Sequence, residues 1–171
     1  MDELELVKKA RKGDDEAFKQ LVLLHKKRIF GIVEAILGNP EDTDDVVQEV
    51  FCKVYHGIKK FRGESKFSTW VFRIAKNASI DFLRKKERDL GNYSAYQEAK
   101  QHIDKNTFLE KLELTENEET VTKVIDKLDQ ESKEILIYAY FSGLKQKEVA
   151  EMLDIPLGTV YSRVCAKRDL C

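Results

Sequence analysis

Residues 61–88 read FRGESKFSTWVFRIAKNASIDFLRKKER. Trp70 and four phenylalanines, Phe61, Phe67, Phe72 and Phe82, stand here among many cations. Laid out at about 100° per residue, the stretch predicts a helix with two unlike faces. Val71, Ile74, Ala75, Ala78 and Phe82 fall within about 100° of arc and form the face to be buried. Arg73, Asn77, Ile80 and Arg84 fall on the opposite side within about 60°. The loop FRGESKFS precedes this helix, with Ser68 as its expected N-cap. Two arginines and an amide in one exposed row reach phosphates and base edges. Between residues 53 and 88, eleven Lys and Arg meet only Glu64, Asp81 and Glu87, a local charge of +8. Phosphates need cations and unpaired bases need π faces, so a basic patch interleaved with aromatics suits single-stranded nucleic acid. Taken alone, the stretch is equally a solvated amphipathic helix whose aromatics are core.

On its N-terminal side the charge reverses. Residues 34–49 contain Glu34, Glu41, Asp42, Asp44, Asp45 and Glu49 and no Lys or Arg. Val46, Val47, Val50, Val54 and Ile58 make a stripe at steps of three and four, which predicts a helix with Thr43 or Asp44 as its cap. Asp45, Gln48, Glu49 and Cys52 fall off that stripe and face outward. Neighbouring acidic and basic surfaces point to two different partners. Further upstream, residues 2–12 begin acidic and end basic, as a helix dipole favours. After Gly13, Asp14-Asp15 opens a second helix carrying Phe18, Leu21, Val22, Ile29, Ile32, Val33 and Ile36, which Gly38-Asn39-Pro40 stops.

On its C-terminal side, residues 89–118 lose their apolar periodicity. Residues 91–118 carry three lysines against six acids and read as an acidic linker, with a short helix near residues 108–114. The pattern then tightens, with a helix over Val121–Leu128, a break at Asp129-Gln130 and another helix to Tyr140. KQKEVAEMLDIPLGTVYSRVCAKRDL completes the chain as a helix, a tight turn at Asp154–Pro156 and a second helix. Val149, Ala150, Leu153, Ile155, Val160 and Val164 sit where a helix-turn-helix buries its contacts. Thr159, Tyr161, Ser162 and Arg163 open the second helix, the part that enters a major groove in such motifs.

The formal charge of the 171-residue chain is only −1, so any nucleic-acid signal is local. Few glycines, two prolines and abundant Lys, Glu, Leu and Ala favour an all-α fold. No apolar run approaches a membrane span, and MDELELVKK does not read as a signal peptide. Cys52, Cys165 and Cys171 lack metal-ligand spacing, and His25, His56 and His102 are scattered, so no metal or cofactor is expected. A reduced, cytoplasmic protein follows.

DTDDVVQEVFCKVY, FRGESKFSTWVFRIAKNASIDFLRKKER and IPLGTVYSRVCAKR, in that order and spacing, resemble a bacterial RNA polymerase sigma factor of the extracytoplasmic-function type, in the sigma-70 family. The resemblance covers nearly the whole chain. It implies two small helical domains joined by the acidic linker: residues 1–90 for core polymerase binding and the −10 element, 91–118 as linker, and 119–171 as a helix-turn-helix for the −35 element. It implies that Asp45, Gln48 and Glu49 dock on the clamp helices of the polymerase's largest subunit. Phe61, Ser68, Trp70, Arg73, Asn77, Ile80 and Arg84 are the implied −10 residues, with Phe61 and Asn77 matching positions that hold an extruded base. A flipped base wants an aromatic platform and an amide that both donates and accepts. Thr159, Tyr161, Ser162, Arg163 and Lys167 are the implied −35 residues. Relatives usually carry a basic residue at the position of Tyr161 and an arginine at that of Ala166, and often a bulkier side chain than Cys165. Here the cations stand at Lys167 and Arg168, and the chain ends at Cys171, so weaker or altered −35 readout is expected.

The implied protein is not an enzyme: it helps melt the −10 DNA through binding, and the polymerase does the chemistry. An anti-sigma protein is the implied regulator. The alternative is a helix-turn-helix transcriptional regulator with an N-terminal sensing or interaction domain, which leaves the acidic-then-basic order of residues 34–88 unexplained. The carboxylates of residues 41–49 lack any accompanying nuclease motif.

Overall fold

Gly38 ends one helix and Asn39 starts the next, and this corner sets the N-terminal architecture. In the computed structural model, which describes residues 2–90, 129–140 and 144–165, helix α2 (Asp15–Leu37) stops where Gly38 turns left-handed at φ 64°. Helix α3 (Pro40–Gly57) begins at once, with Pro40 in its first turn. The Asn39 side chain accepts from the N–H groups of Glu41 and Asp42 at 2.9 and 3.4 Å. The cap is therefore Asn39, not Thr43 or Asp44. Proline's fixed φ and missing N–H suit the first helical position, which moves the start upstream. Thr43 is buried and donates to the Asn39 carbonyl at 2.7 Å.

Helix α1 (Glu3–Arg11) packs on α2, whose N-cap Asp14 accepts from the Ala17 N–H at 2.9 Å. A 3-10 turn (Ile58–Lys60) follows α3, and after the loop comes helix α4 (Phe67–Leu90). The Trp70 N–H reaches the Lys66 carbonyl at 3.1 Å, so the helix is entered at Lys66. Ser68 is thus not the cap but a buried residue of the first turn, 5% exposed. Helices α2, α3 and α4 pack against one another around Ile29, Ile32, Val33, Val46, Val50, Val71, Phe72 and Ala75. The stripe expected on α3, Val46 to Ile58, is buried throughout. On α4, Val71, Ala75 and Ala78 are buried and Ile74 and Phe82 half-buried, as the periodicity demands.

The described C-terminal part holds helices α5 (Gln130–Tyr140), α6 (Gln146–Leu153) and α7 (Leu157–Cys165). Asp129 caps α5, accepting from the Ser132 N–H at 2.9 Å. Between α6 and α7, Asp154 adopts φ 59° and the Ile155 N–H bonds to the Ala150 carbonyl at 3.1 Å. Thr159 then donates to the Pro156 carbonyl at 2.9 Å. This is the expected tight turn, and it makes α6–α7 a helix-turn-helix buried through Val149, Ala150, Val160 and Val164. The fold is all-α, and no strand occurs among the described residues. The linker, its short helix near residues 108–114, the helix over Val121–Leu128, and Lys167, Arg168 and Cys171 lie outside the described residues.

One buried contact sets a pH limit on the α1–α2 packing. His25 is 5% exposed, and its Nε2 lies 2.7 Å from Glu3 Oε1. That hydrogen bond holds the Glu3 carboxyl below its ordinary value of 4.5, against the opposing effect of burial and with help from the charges of His25, Arg28 and Lys66. A carboxyl depressed in the folded state stabilises at and above its unfolded value and loses that contribution as pH falls. Urea unfolding from pH 6 to pH 3 should therefore show a loss of stability below about pH 4.5 that Glu3→Gln reduces.

Candidate nucleic-acid interface

An aromatic cluster at the entry to α4 positions the basic row. Phe61 packs on Phe67 edge-on at 5.7 Å between centroids and on Trp70 at 5.1 Å, and Phe67 meets Trp70 at 5.7 Å. Gly57, at the end of α3, makes room for Trp70: a β-carbon there would lie 3.1 Å from Trp70 Cζ2. The cluster fixes the loop 61–66 against α3 and α4. It also places Phe61 inside, 9% exposed, with Ser68 buried and Trp70 half-buried. At the other end of α4, Lys86 Nζ bonds Asp42 Oδ2 at 2.6 Å, which holds the helix against the start of α3.

The row itself is partly free. Arg73, Asn77 and Arg84 are exposed and Ile80 is half-buried. Arg84 meets Asp81 only at 3.9 Å, a contact between well-solvated groups. Arg73 is engaged: its Nη2 donates to the Glu151 carbonyl at 2.7 Å and lies 3.6 Å from Asp154 Oδ1. Asp45, Gln48 and Glu49 are all exposed on α3, with Glu49 paired to Lys53 at 2.6 Å. The acid-and-amide face and the basic row thus stand exposed on two helices that pack against each other.

On α7, Tyr161 is 50% exposed, Ser162 is exposed and turned back to the Thr159 carbonyl at 3.0 Å, and Thr159 is half-buried. Arg163 is not available in this arrangement. Its Nη1 lies 2.6 Å from Glu131 Oε2 and 3.5 Å from Asp129 Oδ1, braced against the start of α5. The atom is buried and lacks hydrogen-bond alignment, so the contact is one of charge. Lys167 lies outside the described residues.

Two family models match the chain, Sigma-70 region 2 over residues 21–89 and Sigma-70 region 4 over residues 118–167. The ECF RNA polymerase sigma-E factor of Haemophilus influenzae is 33% identical over 96% of this chain and 90% of its own. The chain is a member of the extracytoplasmic-function sigma factors. The ECF sigma factor SigW of Bacillus subtilis is likewise 33% identical, over 95% of this chain and 91% of its own. Among solved structures, CnrH in complex with the cytosolic domain of CnrY superposes with a TM-score of 0.64 at 25% identity, covering 96% and 91% of the two chains. An engineered region 2 of sigmaE in complex with GTAAAA covers 53% of this chain and 94% of its own, at 36% identity and a TM-score of 0.50.

For a sigma factor of this type, the region-2 match runs from within α2 through α4, with α1 ahead of it, and α5–α7 fall within the region-4 match. Sequence reasoning missed several residues that the structure brings to the row. Thr69 Oγ1 donates to Glu151 Oε2 at 2.8 Å, Lys76 Nζ lies 3.5 Å from Glu134 Oε2, and Arg28 Nη1 donates to Glu148 Oε1 at 3.2 Å. The available signal was the set of acids on α6 and the turn after it, Glu148, Glu151 and Asp154, which a DNA-binding unit does not need for phosphates.

Proposed function

We propose that this chain binds core RNA polymerase through Asp45, Gln48 and Glu49 of α3 and reads the promoter −10 element, in unpaired form, with α4. The observation that carries this is an exposed acid-and-amide set on α3 and an exposed Arg–Asn–Arg row on α4, two helices that pack against each other in one core. A cationic row with an amide at its centre binds phosphates and a flipped base together. The sigmaE region 2 solved with GTAAAA supports the same use of the matching helices here. Binding free energy for unpaired bases drives melting, and the chain supplies no catalytic group, metal or cofactor.

The helix-turn-helix reads duplex −35 DNA through Thr159, Tyr161 and Ser162. With Arg163 braced by Glu131 and Asp129, it contributes guanidinium contacts only if that brace is released, which leaves −35 readout weaker than a free arginine gives. Domain boundaries at residues 90 and 119 follow from the same reading. CnrH is solved with the cytosolic domain of CnrY, and an anti-sigma protein is the regulator proposed for this chain. No described helix is long and apolar enough to cross a membrane; the site of action is the cytoplasm, where the polymerase is.

Run-off transcription with core polymerase over a promoter library tests the proposal. Wild-type protein should initiate from discrete sites. Asp45→Lys with Glu49→Lys should weaken polymerase binding by about tenfold or more, through repulsion at a charge-complementary interface, while circular dichroism stays unchanged. Initiation unaffected by this pair would place the polymerase contact elsewhere. Failure to initiate, with tight unaided binding to duplex DNA, would favour the transcriptional regulator.

A further inference from the structure

The bond between Glu3 and His25 does more than join α1 to α2, because its imidazole end is wedged among the rings that start α4. The His25 ring lies 5.7 Å from that of Phe67 between centroids, tilted by 55°, and 5.9 Å from that of Phe72, edge-on at 79°. Phe67 is also the hub of the aromatic cluster, meeting Phe61 and Trp70 at 5.7 Å each. A path of side-chain contacts therefore runs from Glu3 in the first turn of α1 through His25 to Phe67, and from there to Phe61 and Trp70. Phe61 and Phe67 flank the loop that precedes α4, so the path reaches both of its ends. Lys66, the last residue of that loop, adds its charge to those that lower the Glu3 carboxyl. Glu3 lies ahead of the residues matched by the region-2 family model, which begins at residue 21.

A carboxyl held below its ordinary value is ionised at neutral pH and can only accept, so Nε2 of His25 carries the proton of the shared bond. That bond fixes the ring as well as the tautomer. His25 is buried, and without its acceptor the Nε2 N–H would be left unsatisfied in the core, which is costly. The imidazole would turn to find water and leave Phe67 with a changed neighbour. Close-packed interiors pass such a shift on to the next side chain in contact. We infer that Glu3 and His25 are positioning residues for the loop that takes the −10 base: their bond locks the imidazole, the imidazole seats Phe67, and Phe67 sets Phe61 and Trp70. The inference rests on the proposed −10 reading of α4 and its loop. Neither residue touches DNA; both act through the three rings, and α1 thereby has a part in promoter reading beyond covering the core.

Trp70 is the single tryptophan of the chain, so intrinsic fluorescence of the full-length protein reads the cluster directly. Glu3 is partly exposed, and Glu3→Ala keeps the fold, which circular dichroism checks. In that variant Trp70 emission should shift to the red and become more easily quenched by acrylamide. Glu3→Gln keeps an acceptor for the Nε2 N–H and should restore the wild-type spectrum. Glu5→Ala, at an exposed acid of the same helix, should leave the spectrum unchanged. Holoenzyme binding is then compared on −10 oligonucleotides from promoters that run-off transcription yields, matched or with one base changed. The ratio of the two affinities should fall about three- to fivefold with Glu3→Ala, within the range for side chains coupled by contact, and recover with Glu3→Gln. In a Phe67→Leu background, Glu3→Ala should cause no further loss of discrimination, since the path is already cut. A role in stability alone lowers the urea midpoint and scales both affinities equally, moving neither the folded-state spectrum nor the ratio. A Glu3→Ala spectrum identical to wild type, or an unchanged ratio where wild type discriminates, overturns the inference. If wild-type holoenzyme does not discriminate while Trp70 emission still shifts, the −10 reading fails and the seating of the loop by Glu3 and His25 stands.

Discussion

Replacing Asn77 with alanine should weaken holoenzyme binding to a pre-melted −10 region by about 5- to 150-fold, the equivalent of losing about 1–3 kcal/mol of base-specific hydrogen bonding. The residue stands one turn along α4 from Arg73, is exposed, and has no side-chain partner among the described residues. The fold gives it nothing to do, so its removal leaves α4 intact; alanine is, if anything, the better helix former. Its amide can donate and accept toward one base edge, which neither flanking arginine can do. Arg84→Ala should instead weaken all sequences alike and flatten the salt dependence, because a phosphate contact carries no sequence information. Run-off yield and anisotropy on matched and mismatched −10 oligonucleotides distinguish the two.

Phe72→Ala should cost about 3–5 kcal/mol of stability, a large part of the about 5–15 kcal/mol available to a domain. Phe72 is 0% exposed on the inner face of α4, and its ring meets His25 edge-on at 5.9 Å. Because α4 packs on both α2 and α3, the cavity opens at their common contact, and the His25–Glu3 bond loses one wall. Urea unfolding should show a lower midpoint, with Phe72→Leu in between. The functional consequence is indirect: α3 and α4 keep their mutual packing, and with it the relative placement of their exposed faces, only while this core is filled.

Much of this arrangement is legible in the sequence because it depends on periodicity. Val46 to Ile58 on α3 and Val71 to Ala78 on α4 are buried as their spacing demands, and Gly38, Asp14 and the turn at Asp154 act through local backbone chemistry. The helix starts are less legible. Asn39 with Pro40 outcompetes Thr43 and Asp44, and Ser68, a favourable cap by type, is drawn into the core by Phe67 and Trp70. The first case is local, settled by proline's preference for the opening helical position; the second is decided by tertiary packing, which a local pattern does not contain. Phe61 shows the same limit: its aromatic character is plain, but its burial against Phe67 and Trp70 is a long-range fact. The pairing of α6 with α4 is least visible, since Thr69 and Glu151 are 82 residues apart. A carboxylate run reads as a solvated face until the cations opposite it are known.

In the proposed function α4 takes the −10 element in unpaired form, with Asn77 reading a base. The most direct measurement compares holoenzyme binding to one promoter carrying its −10 region either fully paired or as a pre-melted bubble, for wild type and Asn77→Ala. Wild type should bind the bubble more tightly, and Asn77→Ala should show a loss that persists on the bubble because the lost contact is to an unpaired base. Equal wild-type affinity for both templates, together with no effect of Asn77→Ala on the bubble, would contradict it.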